Sequence, residues 1–248
     1  MVTVQVPAEL DRPEGHGWRV CSRRHSAVVI ELCWRGAGGV SSGDFFESAL
    51  RPDDTVGMVL GDTAGFGAAA SGLAERIAAE ALCGLAAGDH PREVLGRLDQ
   101  PVQARGSDAL ATSVCITVNV STGWVELSSA GHLPALVARA EGVDFVDATG
   151  LPLGLAGERD SAGLRLGAED TLYLFTDGLL ERRGQGIDVG LEAVRDLAAG
   201  LGSARSWASE LAREVVEVLG APSDDVMVAS IKLDQRRDHR LAVPGARP

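Results

Sequence analysis

The sequence lacks the features of several protein classes. It contains no uninterrupted apolar run near the roughly 18 residues of a membrane-spanning helix, and residues 1–10 show no charged-then-apolar signal pattern. We therefore expect a soluble, cytoplasmic protein with no membrane partner. Basic residues are also scarce, since 23 lysines and arginines stand against 35 acidic residues, for a net charge of −12. Because nucleic-acid binding relies on basic groups that release counterions, this balance disfavours a nucleic-acid partner.

The four cysteines form no C-x-x-C pair and have no histidine at zinc-ligand spacing. This pattern disfavours a zinc site, and we interpret the cysteines as buried, reduced thiols. The chain also lacks the G-x-x-x-x-G-K-[ST] pattern of a nucleotide-binding P-loop. Apolar residues make up 45% of the sequence, which is enough for a sizeable core.

Hydrophobic periodicity predicts strands, two helices, strands, two further helices and a closing strand. We expect the helices at 67–87, 91–105, 190–199 and 204–219. A first pair of strands is expected at 18–21 and 26–34, with a basic turn between them. This order favours one layered α+β domain over a βαβ wrap. We predict a flexible lead-in at 1–17, a single domain at 18–233 and a disordered tail at 234–248.

Four aspartates are the most informative residues, and three of them lie where an apolar, strand-like run begins or ends. They are Asp44 in S-G-D-F-F-E, Asp62 in V-L-G-D-T-A-G, Asp177 in L-F-T-D-G and Asp224 in S-D-D-V-M-V. Taken singly, each has an ordinary explanation as a turn or capping residue. If the strand ends converge, however, the carboxylates cannot all stay ionised unless cations neutralise them. Hard oxygen ligands of this kind suit Mg²⁺ or Mn²⁺.

Six motifs, taken in order, resemble those of the PPM-type metal-dependent protein serine/threonine phosphatases, and most closely their bacterial SpoIIE-like (RsbU-like) branch. They are 42–47 (S-G-D-F-F-E), 62–67 (D-T-A-G-F-G), 130–134 (A-G-H-L-P), 150–154 (G-L-P-L-G), 175–178 (F-T-D-G) followed by Glu181, and 224–225 (D-D). The resemblance runs from about residue 26 to residue 233. It implies a four-layer α-β-β-α sandwich, with two mainly antiparallel sheets flanked by helix pairs.

The resemblance also implies a site with two Mn²⁺ or Mg²⁺ ions. Its expected ligands, four of them also expected to be catalytic, are Asp44, Asp62, the backbone carbonyl of Thr63, Asp177 and Asp224. Asp62 would bridge the ions, Asp177 and Asp224 would hold one, and Asp44 would help hold the other. Asp225 is the less favoured ligand of its pair. The implied reaction is attack of a metal-bridging hydroxide on the phosphorus of phosphoserine or phosphothreonine.

Two departures from the family pattern bear on the expected chemistry. Ala64 stands where eukaryotic relatives carry a histidine suspected of protonating the leaving group, so His132 becomes a candidate donor. Phe66 replaces the histidine or lysine common in the branch, which we interpret as a surface change.

By family analogy the substrate is a phosphorylated regulatory protein, with an anti-sigma-factor antagonist as the candidate. Regulation would then come from a homodimer or from a partner in trans. Two alternatives stay open. One is a catalytically weak binding or regulatory module of the same fold, and the other is a small-molecule phosphomonoesterase.

Overall fold

The computed structural model describes residues 12–13, 17–36, 43–106, 109–205 and 207–234. The strands are β1 (Arg12–Pro13), β2 (Arg19–His25), β3 (Val28–Arg35), β4 (Phe45–Leu50), β5 (Thr55–Thr63), β6 (Ala111–Asn119), β7 (Trp124–Ala130), β8 (Ala135–Arg139), β9 (Gly142–Val146), β10 (Ala162–Arg165), β11 (Thr171–Phe175) and β12 (Val226–Leu233). The helices are α1 (Ala68–Ala87), α2 (Pro91–Gln103), α3 (Ile187–Arg205) and α4 (Ala208–Leu219). None of the helices in these ranges is long and apolar enough to cross a membrane.

The strands form two antiparallel sheets. The first has seven strands in the order β1-β2-β3-β12-β11-β8-β9, and the second has five in the order β10-β7-β6-β5-β4. Every pairing between named strands is antiparallel. The sheets meet face to face, with α1 and α2 on the outer face of the five-stranded sheet and α3 and α4 on that of the seven-stranded sheet. This is the predicted four-layer α-β-β-α sandwich, and the prediction is confirmed.

Three apolar layers hold the sandwich together. The central layer lies between the sheets and includes Ile30 and Ile231 from one sheet and Met58 and Ile116 from the other. A second layer packs the seven-stranded sheet against α3 and α4, and a third packs the five-stranded sheet against α1 and α2. Strands in the middle of each sheet are therefore buried on both faces, which explains why β5 is apolar almost without interruption.

The first predicted turn is wrong. The basic residues at 22–25 were expected to form it, but they continue β2, and the chain reverses at Ser26 and Ala27 instead. Ser26 has a φ of 54°, which lets the chain turn tightly there. Successive side chains point to opposite faces of β2, so Arg23 and His25 face the five-stranded sheet, where they contact Glu47 and Ser48 of β4, and the basic run does not interrupt the strand.

Other differences are smaller. The short, largely exposed strands β9 and β10 were not predicted, because few of their residues are buried and no alternation marks them. Helix α3 begins earlier and ends later than expected, with a non-helical residue at Gly202. Most of the predicted lead-in and tail lies outside the described residues, although Arg12–Pro13 pairs with β2.

A buried ion pair fixes the loop at 150–159 against α2. The Arg159 guanidinium donates to both carboxylate oxygens of Asp99, at 2.9 and 2.8 Å, and its side chain is only 2% exposed. Asp99 also accepts a hydrogen bond from the backbone N–H of Gly154. The same loop pairs with the start of β6, where Leu153 and Ala111 exchange backbone hydrogen bonds. Asp99 and Arg159 thus connect α2 with the end of the sheet at which β6 begins.

We expect Arg159→Met to lower the free energy of unfolding by about 3–5 kcal/mol, because it leaves the Asp99 carboxylate buried without its partner. Urea denaturation measures this change. The control is Arg76→Met, which removes an exposed pair with Glu80 on α1 and should cost less than about 0.5 kcal/mol. Equal, small losses in both variants would contradict a stabilising role for the buried pair.

Candidate metal centre

Asp62 and Thr63 lie at the end of β5, next to the segment that leads into β4. The backbone N–H of Thr63 donates to the carbonyl of Gly43 at 3.2 Å, which ties this segment to β5. A Cβ atom added to Gly43 would lie 2.6 Å from Asp62 Oδ1 and 2.6 Å from the carbonyl oxygen of Thr63. Both oxygens therefore face the same small space, and that space stays open because residue 43 has no side chain. The geometry fits a hard cation held by oxygen ligands.

Asp44 directly follows Gly43 and precedes β4. Phe45, the first residue of β4, is buried and pairs with Gly61 of β5. This register sets the position of the preceding aspartate alongside the end of β5. Asp44 therefore approaches Asp62 as a consequence of strand pairing.

The seven-stranded sheet contributes the other two predicted aspartates. Asp177 begins a 3₁₀ turn (Asp177–Leu179) directly after β11, and Asp224 lies in the loop before β12. Because β11 and β12 are neighbours, their ends bring these segments together. The contact is very close, since a Cβ atom at Gly178 would lie 1.9 Å from the carbonyl oxygen of Asp225. Glycine is required at this position to allow the approach.

Thr176 joins the two sheets at the site. Its hydroxyl donates to Asp44 Oδ2 at 3.0 Å and accepts a hydrogen bond from the backbone N–H of Met227 at 2.9 Å. Its own N–H donates to the carbonyl of Met227. Thr176 is fully buried and is thus fixed to β12 while it holds a carboxylate from the opposite sheet. In the sequence Thr176 appears only as a member of the F-T-D-G motif, and no signal there points to this role.

The aspartates raise one another's pKa values, which shows that they share one region. Burial, followed by the charge of Asp62, raises the pKa of Asp44 well above its usual value. Burial raises the pKa of Asp62 to about 7, with further contributions from Asp177 and Asp224. Burial also raises the pKa of Asp177, reinforced by Glu181 and Asp224. A nearby cation would oppose each of these shifts, because it favours the ionised carboxylate.

The carboxylates converge without forming a finished coordination sphere. Across the ranges that the structure describes, no three histidine, cysteine or acidic side chains are arranged closely enough to hold an ion as they stand. Asp224 Oδ1 instead accepts a 2.7 Å hydrogen bond from the N–H of Asp225. The Asp225 carboxylate lies on the side of Gly36, where an added Cβ atom would be 3.6 Å from Oδ1.

His132 lies beside the site, next to Thr112, the residue that pairs with Asp62 across β5 and β6. It is buried, its Nδ1 is 2.9 Å from the hydroxyl of Thr112, and its backbone is held by Ser129. Burial lowers the pKa of His132 to about 4. The imidazole is therefore neutral at pH 7, which makes it a poor proton donor and indicates a structural role.

Two of the cysteines, Cys33 and Cys115, are unsuited to act as thiolate nucleophiles. Burial raises the pKa values of Cys33 and Cys115, so both thiols stay protonated at neutral pH. Cys21 is also buried, whereas Cys83 is exposed on α1, contrary to the expectation that all four are buried. All four are free, as predicted.

Several solved structures with the same architecture are distant in sequence. The RsbU and RsbW domains of Rv1364c from Mycobacterium tuberculosis are 24% identical, with a TM-score of 0.74 over 83% of this chain. This chain spans 60% of that relative's length. The PP2C phosphatase domain, with a fragment of the regulatory domain, of SpoIIE from Bacillus subtilis is 18% identical, with a TM-score of 0.71 over 88% of this chain and 70% of that chain.

A third relative, RsbX, was solved in complex with magnesium. It is 16% identical, with a TM-score of 0.66 over 86% of this chain and 99% of that chain. At these identities the similarities establish the fold. The sequence match is more specific, because the Stage II sporulation protein E (SpoIIE) family matches residues 52–234 and so covers most of the chain, including Asp62, Asp177 and Asp224. The chain therefore belongs to the SpoIIE family, and it shares the fold of the PP2C phosphatase domain of SpoIIE.

Proposed function

We propose that this protein hydrolyses phosphoserine or phosphothreonine on a regulatory protein, with the help of two Mn²⁺ or Mg²⁺ ions. The observation that carries the proposal is the convergence of Asp44, Asp62, Asp177 and Asp224 from both sheets, together with the open space at Gly43. The membership in the SpoIIE family supports the same reaction class.

The proposed ligands divide between the two sheets. Asp62 and the carbonyl of Thr63 face the space at Gly43, and Asp44 joins them from the neighbouring segment. Asp177 and Asp224 complete the set from the seven-stranded sheet. When bound, divalent ions lower the pKa of water and offset the negative charge of a phosphoryl group. The protein's own contribution is to hold the carboxylates in place, and Thr176 does so for Asp44 through its hydroxyl.

The leaving alkoxide of a phosphoserine must gain a proton. Ala64 offers no donor at the position directly after Thr63. His132 is neutral at pH 7 and shielded from solvent. We therefore propose that water supplies this proton.

The exposed surface next to Asp62 favours a protein substrate over a small ester. Phe66 follows Thr63 by three positions and is 83% exposed, although a phenyl ring gains about 1.5–3 kcal/mol from burial. The neighbouring Ala64, Ala68 and Ala69 are exposed as well. A protein that presents a phosphorylated side chain to Asp62 would cover this uncharged surface, whereas a small ester would not reach it.

The candidate substrate within this class is an anti-sigma-factor antagonist, as family analogy suggests. RsbU and RsbX appear among the solved relatives, which supports a phosphorylated regulatory protein as the partner. Control through a homodimer or through a partner in trans stays a prediction.

The proposed site predicts that Asp62→Asn and Asp177→Asn each lower Mn²⁺-dependent hydrolysis of p-nitrophenyl phosphate by more than about 100-fold. Loss of an outer-shell partner of a metal ligand alone costs about 10–100-fold, and a ligand should cost more. The control is Asp196→Asn, an aspartate on α3 whose side chain is 74% exposed. Activity that persists in both site variants would refute the site.

The space at Gly43 predicts that Gly43→Ala weakens Mn²⁺ binding by about tenfold or more, measured by isothermal titration calorimetry. Gly43 is not among the residues with positive φ, so alanine meets a steric obstacle and no backbone strain. Gly72→Ala on α1, where no atom lies within 4 Å of the added Cβ, is the control. An unchanged Mn²⁺ affinity in folded Gly43→Ala would contradict an ion in this space.

The exposed phenyl ring predicts that Phe66→Ala reduces kcat/KM about fivefold to tenfold on a phosphoserine peptide with apolar flanking residues, through a higher KM. Turnover of p-nitrophenyl phosphate should not change. The control is Trp124→Ala, because Trp124 is 49% exposed at the opposite end of the same sheet. Equal effects of Phe66→Ala on both substrates would argue against a protein-contacting role.

A further inference from the structure

Arg182 lies close to the candidate metal centre. Its side chain donates hydrogen bonds to the backbone of two separate segments. Its Nη1 donates to the carbonyl oxygens of Glu181 at 2.7 Å and Gly178 at 3.2 Å. Its Nε donates to the carbonyl oxygen of Gly220 at 3.0 Å. Gly178 directly follows Asp177, whereas Gly220 ends α4 and begins the loop that leads to Asp224. One side chain therefore connects the two segments that carry these aspartates.

Arg182 adds a further connection between these two segments, next to the pairing of β11 with β12. Asp177 lies in a single 3₁₀ turn, and Asp224 lies in a loop between α4 and β12. The two carboxylates repel each other whenever both are ionised, which pushes the segments apart. The close contact of Gly178 with Asp225 leaves no slack between the two segments. A planar guanidinium with fixed donor directions suits this task better than a flexible ammonium group.

The guanidinium group donates its hydrogen bonds to backbone carbonyl oxygens and not to an aspartate of the site. Its third nitrogen, Nη2, is shielded from solvent and has no hydrogen-bond partner among the described residues. An atom in that position cannot contact a phosphoryl group at the surface. Arg182 is thus a support for the site and lies outside the set of groups that touch the substrate.

We propose that Arg182 is a positioning residue that sets the affinity of the half-site formed by Asp177 and Asp224 for a divalent cation. This inference rests on the proposed function, because it requires that these aspartates bind metal. Without the hydrogen bonds from Arg182 to both segments, the loop before β12 must become ordered when the metal binds. Part of the free energy of metal binding is then lost to this ordering. The effect should therefore appear in the metal affinity as well as in the stability of the fold.

The test compares Arg182→Met and Arg182→Lys with the wild type. The control is Arg183→Met, because Arg183 is the adjacent arginine and is exposed. Mn²⁺ binding is measured by isothermal titration calorimetry, and metal-free stability is measured by urea denaturation. We expect Arg182→Met to bind Mn²⁺ about tenfold more weakly, which corresponds to about 1.4 kcal/mol. Arg182→Lys should fall between Arg182→Met and the wild type, and Arg183→Met should bind like the wild type.

Wild-type Mn²⁺ affinity in folded Arg182→Met would overturn the inference, whatever its effect on stability. If Arg182→Met does not fold, Arg182→Lys replaces it, and wild-type affinity in that variant has the same meaning. A loss of equal size in Arg183→Met would also overturn it, because the effect would then reflect general charge. If the wild type binds no Mn²⁺, the proposed function fails together with the inference, and this outcome is distinct from the others.

Discussion

Repulsion between carboxylates at the edge where the two sheets meet is the constraint that shapes this protein. Asp44, Asp62 and Asp177 are each partly withdrawn from water, and burial raises the pKa of each, with the neighbouring charges adding to the effect. Such an arrangement opposes folding unless other parts of the structure offset it. Here the three apolar layers do so, because they bury both faces of the central strands and both helix pairs. The packing of these apolar layers therefore does not depend on the acidic residues at this edge.

The sheets bring the acidic segments together by two different means. In the five-stranded sheet, antiparallel pairing of β4 with β5 sets Asp44 beside Asp62. In the seven-stranded sheet, neighbouring ends of β11 and β12 bring Asp177 close to Asp224, and Gly178 allows the backbones to touch. Neither pair is close in sequence, so each depends on correct strand register. A slip of one residue would turn the side chains to the wrong face.

Much of this arrangement could be predicted from sequence, because the elements have clear periods. Helices α1 and α2 were predicted within two residues, since α1 has a helical apolar stripe and Pro91 marks the start of α2. The β2–β3 turn could not be placed, because the backbone conformation of Ser26 decides it and basic residues are common in turns. Strand β9 is too exposed to show a pattern.

Some residues of the site could likewise be predicted from the sequence, and others could not. The aspartates could be identified because their motifs occur in a fixed order along the chain. The roles of Thr176 and Arg182 could not, because Asp44 and Gly220, the partners that reveal these roles, lie far away in sequence and become neighbours only in the folded structure. For His132 the sequence suggests a role that the structure does not favour. A histidine in a family motif suggests a proton donor, whereas the burial of His132 favours the neutral imidazole.

The hydroxyl of Thr176 has a mechanical consequence. It is anchored to β12 and holds a carboxylate of the opposite sheet across a 3.0 Å hydrogen bond. Such bonds weaken steeply when the donor and acceptor separate by about half an ångström. A small shear of one sheet over the other would therefore weaken this hydrogen bond without disturbing any strand pairing. The position of Asp44 is thus sensitive to how the two sheets lie against each other.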